Sequence, residues 1–212
     1  MSSELANTNE NQITKFDDFS SVEQMKSFAE TLIKGKLLPT AFNTPEKVVT
    51  AITQGKELGF KALTAINNIH IIENRATLSV HAIAALLKRA NIRYEIVKDY
   101  EPVYKTDKEG KQKKVDIITS IKFIEKWEDR FIENIVSFSM KDAQDQELTG
   151  KSNWIKMPKI MLRNRCLAIG ARLAAPEALL GIYETSEAAE FSKVNHSVND
   201  NGTVDIQTVI VE

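Results

Sequence analysis

Apolar positions along this chain change period several times, and each change predicts an element. From Val22 to Lys34, the residues Met25, Phe28, Ala29, Leu32 and Ile33 share one helical face. Ser20 or Ser21 can cap that helix and Gly35 can end it. Thr44-Pro45-Glu46 places an N-cap, a first-turn proline and an acid in the order that opens a helix. Val48, Val49, Ile52 and Leu58 form its buried side, and Gly59 sits at its C′ position. Ala62 to Asn67 supplies one or two further turns. The period then becomes two. Ile69-His70-Ile71-Ile72 and Ala76-Thr77-Leu78 flank Glu73-Asn74-Arg75, which predicts a hairpin with a three-residue loop and Asn74 in the left-handed position. Ser79 caps a helix from Val80 to Ala90, with Val80, Ile83, Ala84 and Leu87 inward.

Alternation returns at Arg93–Lys98 and is clearest at Val115, Ile117, Thr119, Ile121 and Phe123. Ile132 to Met140 reads as a third strand. Between the first two lies Tyr104 to Lys114, YKTDKEGKQKK, a charged loop turning at Gly110. It is open to two readings, a solvated tip or a basic finger on nucleic acid. Asp142 to Leu148 reads as one polar helical turn. Helices, a hairpin, another helix, a small sheet and a last helix, without strand–helix–strand alternation, predict an α+β fold. In this reading helices pack on a small antiparallel sheet with a β-hairpin, and the fold ends in a basic amphipathic helix. Residues 1–18 read as a mobile N-terminal tail, 19–190 as the core domain, and 191–212 as a flexible C-terminal tail.

The stretch from Trp154 to Tyr183 organises the rest. Pro158 suits a first helical turn, and the helix should run to about Ala174, with Leu162, Cys166, Ile169 and Leu173 as one apolar stripe. Between Lys151 and Pro176 there is no Asp or Glu but there are six cations: Lys151, Lys156, Lys159, Arg163, Arg165 and Arg172. Lys159 and Arg163 fall to one side of the stripe, and Arg165 and Arg172 to the other. Cations held along a buried seam can follow a phosphate backbone. The formal net charge of the whole chain is -1, so this positive charge is local. Trp154, Tyr183, Tyr94 and Tyr104 lie near cationic segments, and base stacking plus phosphate neutralisation is how single strands are bound. Trp154 also fits a core anchor at the helix start.

Other chemistry finds little support. Gly150-Lys151-Ser152 ends like a phosphate loop, but position 145 holds Asp where the first glycine belongs, and Asp142 to Leu148 carries three acids. His70, His81 and His196 are scattered and Cys166 is the only cysteine, so no zinc site and no cofactor are expected. Cys166 itself reads as a small buried hydrophobe. Gly55 and Gly59 have the GxxxG spacing of close helix packing. There is no apolar run long enough for a membrane span and no leader-like N-terminus, which points to the cytoplasm.

The order of several short motifs resembles the phage and prophage RecT-type recombinases. The first part is Leu38-Pro39, Thr44-Pro45-Glu46, Gly55-Lys56-Glu57-Leu58-Gly59-Phe60, Ala65-Ile66, Ile69, Ile72, Asn74-Arg75 and Leu78-Ser79. The second is Phe138-Ser139-Met140-Lys141-Asp142-Ala143, Lys151, Asn153-Trp154, Pro158, Met161-Leu162, Arg163, Arg165, Pro176-Glu177, Leu180-Gly181-Ile182-Tyr183 and Glu187. The resemblance covers roughly residues 38 to 187. It implies a single-strand annealing protein that needs no ATP and has no covalent catalytic site. Such a protein coats single-stranded DNA exposed by a partner exonuclease and pairs it with its complement. It acts as a homo-oligomeric ring or helical filament around an annealed duplex intermediate, in a bacterial host.

Lys151, Trp154, Lys156, Lys159, Arg163, Arg165 and Arg172 are the candidate nucleic-acid contacts, Lys159 and Arg163 foremost because their spacing shares a face. The sequence after Ala143, Gln144-Asp145-Gln146-Glu147-Leu148, is more acidic than the family's pattern. The tail after Lys193 is the candidate contact for a host single-strand-binding protein. Two alternatives stay open: a passive single-strand-binding module, and a phage structural or regulatory protein on the same scaffold.

Overall fold

The structure, a computed structural model, describes Phe19 and residues 21–72 and 75–188. Both tails, and Asn74 at the hairpin turn, lie outside the described residues. The fold is α+β. Helices α1 (Val22–Lys34), α2 (Pro45–Glu57) and α3 (Ala62–Asn68) lead into strands β1 (Ile69–Ile72) and β2 (Arg75–Leu78) and helix α4 (Val80–Arg89). Three long strands follow, β3 (Arg93–Thr106), β4 (Gln112–Trp127) and β5 (Arg130–Ser139). The chain then forms α5 (Met140–Asp145), α6 (Ser152–Lys156), α7 (Pro158–Ala174), α8 (Pro176–Leu179), β6 (Tyr183–Glu184) and α9 (Thr185–Ala188).

Local chemistry explains the helix boundaries. Ser21 Oγ accepts from the Gln24 N–H and Ser79 Oγ from the Ala82 N–H, each satisfying a first-turn donor. Ser139 and Asp142 form a reciprocal capping box at the start of α5. Gly59, just past α2, has φ +70, the left-handed conformation that a C′ glycine adopts without strain. A side chain there would also meet the Arg89 guanidinium, which donates to the Leu58 carbonyl at 2.7 Å. Gly55 serves closeness instead, since a Cβ on it would lie 2.2 Å from the Ala65 side chain of α3.

Two three-stranded sheets form. One is β3-β4-β5, antiparallel throughout, and the other is β1-β2-β6. In the second, β6 pairs with β2 in parallel through Thr77↔Tyr183 and Leu78↔Glu184. Two residues cannot show a period, so the sequence pattern misses this strand. The β1–β2 hairpin is also tighter than expected: Arg75 pairs with Ile72, leaving only residues 73 and 74 between the strands.

Helix α7 has the expected span but not the expected burial. It lies between the large sheet and α4, contacting β4 and β5 on one side and α4 on the other. Leu162 and Cys166 are fully buried, but so are Ala168 and Ala171, and Leu173 of the expected stripe is 61% exposed. The middle of α7 is therefore enclosed on most sides rather than along one stripe, as befits a core helix. It comes close to the sheet at Gly170, where a Cβ would fall 1.9 Å from the Phe123 ring. Gly170→Ala should therefore destabilise the protein by about 1–3 kcal/mol, through overpacking. In a solvent-facing helix the same change would stabilise by up to about 1 kcal/mol, so urea unfolding tests the sign.

Candidate nucleic-acid interface

The cations of residues 151–172 separate into three environments. The first is a clamp. In β3 the register with β4 shifts between Ile96, Lys98 and Glu101, which leaves Asp99 and Tyr100 out of the ladder. Tyr100 takes φ +61, and its N–H donates to Thr119 Oγ1 at 3.2 Å in place of a ladder bond. This bulge turns Asp99 toward α7, in the way bulges re-aim side chains. Arg163 Nε donates to Asp99 Oδ1 at 2.7 Å, a second Arg163 nitrogen donates to Oδ2, and Lys159 Nζ lies 2.9 Å from Oδ2. The Arg163 bond, reinforced by Lys159, holds the Asp99 carboxyl far below the ordinary carboxylate range despite the opposing effect of burial. Asp99 in turn raises the Arg163 pKa. The side chains of Lys159 and Arg163 remain 48% and 38% exposed. Lys159 and Arg163 share a face, as their i, i+4 spacing predicts, but Asp99, which organises them, belongs to no motif and is 64 residues away from Arg163.

The second environment is a buried latch, and it corrects two expected contacts. Arg165 is 4% exposed, and its Nη1 lies 3.4 Å from Glu187 Oε1. Burial pulls the Arg165 pKa down while Glu187 pushes it back up. Arg172 donates to both carboxylate oxygens of Glu187, at 2.7 Å to Oε1, and stacks on the Tyr183 ring at 5.3 Å. Burial works against the charged form of Arg172, and the Glu187 bonds outweigh it, so the net shift is upward. Both arginines thus tie α7 to the β6–α9 segment and are spent on the fold. The sequence shows no acid near them, because Glu187 reaches them only through tertiary structure.

Trp154 requires the same correction. It is 3% exposed with its ring 6.3 Å from Phe138, so it anchors the core and offers no face to a base. Of the other aromatics, Tyr94 lies against Phe123 and Tyr104 is 54% exposed.

The third environment is the solvent-facing junction of α6 and α7. Lys156 ends α6, Lys151 precedes it half-buried, and the side chains around Lys156 and Lys159 include the exposed apolar residues Ile155, Met157 and Ile160.

The charged segment Tyr104–Lys114 is mostly strand, a further correction. Tyr104 pairs with Lys114, Lys105 with Lys113 and Thr106 with Gln112, leaving only residues 107–111 as the turn. Asp107 Oδ1 accepts from the N–H groups of Glu109 and Lys111, both at 2.9 Å. Because β5 pairs with β4 only from Ile118 onward, this part of the hairpin is a two-stranded arm with both faces in water. Such an arm has no apolar face, which is why its sequence lacks a period of two. Lys105 directly opposite Lys113 is an unfavourable pairing without an anion nearby.

Cys166 is inert in its setting. It is fully buried, its Sγ donates to the Thr119 carbonyl at 3.1 Å, and burial pushes its pKa up to about 12. Among the described residues no group of three or more His, Cys, Asp or Glu is placed to hold a metal, and no helix is long and apolar enough to cross a membrane. No protein-family model, curated protein or solved structure matches the chain.

Two outcomes test this division. Glu187→Ala removes the carboxylate that Arg165 and Arg172 share, leaving Glu184 as the remaining acid beside them, and should cost about 3–5 kcal/mol in urea unfolding. For the clamp, the folded pKa of Asp99 is depressed, so its contribution to stability is present above the unfolded carboxylate pKa of about 4. It is lost as pH falls through the folded value. A carboxyl-carbon NMR titration should therefore find Asp99 still ionised at a pH where the exposed aspartates have become protonated.

Proposed function

We propose that this protein binds single-stranded DNA and anneals complementary strands without ATP, as a homo-oligomer in the cytoplasm of a phage- or prophage-bearing bacterium. The observation that carries the reading is the Asp99 clamp. Lys159 and Arg163, half-exposed, converge on one pair of carboxylate oxygens in the forked geometry that Arg also offers to phosphate. Exposed Ile155, Met157 and Ile160 next to Lys156 and Lys159 set apolar surface for bases beside cations for the backbone. The lysine-rich β3–β4 arm adds a second run of positive charge. The annealing step itself rests on the sequence resemblance to RecT-type recombinases, as do the exonuclease and host single-strand-binding protein as partners.

Mechanistically, the protein's contribution is positioning. Contacts to phosphate hold each strand without reading its sequence and leave base edges free to pair. Neutralising two backbones on one surface also lowers their mutual repulsion. No proton transfer or nucleotide hydrolysis is needed.

The test is annealing of two complementary oligonucleotides, followed by fluorescence quenching without ATP or Mg²⁺. The wild type should accelerate annealing, and its single-strand affinity should fall linearly on a log–log plot against salt. Lys159→Glu/Arg163→Glu, checked for folding by circular dichroism, should lose both. Asp99→Asn removes the competing carboxylate and should tighten binding. Binding without faster annealing would identify a passive single-strand-binding module, and no binding at all would overturn the reading.

A further inference from the structure

The outer face of the β3–β4–β5 sheet, away from α7, carries a ladder of charges that is unevenly matched. At its centre Lys122 is held by two carboxylates, Glu95 at 3.6 Å and Glu133 at 3.4 Å. Glu125 on β4, and Glu128 and Asp129 in the β4–β5 turn, lie nearer the end of the sheet. Even so, Arg93 at the start of β3 and Lys126 near the end of β4 have no carboxylate within ion-pair distance among the described residues. Lys88, in the last turn of α4, is in the same position. These three cations line a cavity of about 790 Å³ together with Asn91, Ile124 and Phe131, and no acidic side chain lines it. Phe131 pairs across the strands with Lys126 and is 66% exposed, so its ring is open to a stacking partner.

We propose that this cavity is a separate contact site for single-stranded nucleic acid, with phosphates on Lys88, Arg93 and Lys126 and a base against the Phe131 ring. The site rests on the single-strand-binding reading above but not on the Asp99 clamp. Asp99 lies level with Thr119 on β4, and Lys126 is seven residues further along, a separation of roughly 23 Å at 3.3 Å per residue. One clamp cannot serve both places.

Three features favour a nucleic acid over an acidic peptide. The cations are grouped around an aromatic face rather than spread along a groove. That ring is sequence-tolerant, since every base has a face to stack. The volume also exceeds what a single carboxylate side chain would fill. For an annealing protein, a second contact region on the same subunit gives either a longer hold on one strand or a place for the incoming one.

The experiment measures fluorescence anisotropy of a labelled oligo-dT on the full chain across a salt series. Wild type, Phe131→Ala, Arg93→Ala/Lys126→Ala and Lys159→Glu/Arg163→Glu are compared, with folding verified for each. Phe131→Ala should weaken binding roughly tenfold, the loss of one stacked base. Arg93→Ala/Lys126→Ala should lower the log–log salt slope by about 1.4, at 0.7 per phosphate on a single strand. An oligonucleotide carrying 5-iododeoxyuridine should photocrosslink at or beside Phe131 in the wild type. If the cavity variants bind like wild type while Lys159→Glu/Arg163→Glu does not, the cavity proposal fails and the clamp reading stands. If wild type binds no oligonucleotide, both fail. If labelled poly-glutamate binds the wild type but not Arg93→Ala/Lys126→Ala, while oligo-dT binds both alike, the cavity is a protein-docking site and the nucleic-acid assignment is overturned.

Discussion

Helix α7 can lie on the β3–β4–β5 sheet only because position 170 has no side chain. The Phe123 ring occupies the space a Cβ would take, and that contact sets the distance between the helix and strand β4. With the helix this close, Leu162 and Cys166 reach full burial, and the Cys166 thiol meets the Thr119 carbonyl. The same Thr119 uses its hydroxyl to hold the β3 bulge. The bulge then delivers Asp99 to Lys159 and Arg163. A packing constraint in the core thus determines where the clamped cations on the surface stand.

The buried latch works at the other end of α7. Glu187 draws Arg165 and Arg172 toward the short β6–α9 segment, and β6 completes the small sheet beside β2. Charges taken out of water in this way give little net stability over apolar residues of similar volume. What they specify is geometry: the segment after α8 can dock in only one orientation, with its carboxylate against both guanidinium groups.

Much of the architecture was legible in the sequence because caps, prolines and periodicity are local signals. The span of α7, the Ser21 and Ser79 caps and the C′ role of Gly59 all follow from residues a few positions apart. The candidate site was only partly legible. A run of six cations without an acid looks like an open basic surface, yet four of them are paired with Asp99 or Glu187. Sequence spacing cannot show a partner that arrives through the fold. Trp154 was ambiguous for a related reason, since the same residue type serves a core and a stacking platform. The β3–β4 arm escaped because a strand pair wetted on both faces leaves no hydrophobic alternation to read.

Asp99 also bears on which anions could gain a place on this surface. It is tethered to the same chain as Lys159 and Arg163, so it competes at a high effective concentration that no small free anion in the cell easily exceeds. An isolated phosphate or nucleotide arriving there would exchange one anion for another and gain little. A polymer is different, because each of its phosphates is itself tethered to the next, and a modest gain repeated along the strand accumulates. In the proposed single-strand-binding reading, the carboxylate would act as a threshold, shielding the cations from monomeric anions while leaving them open to a chain of phosphates.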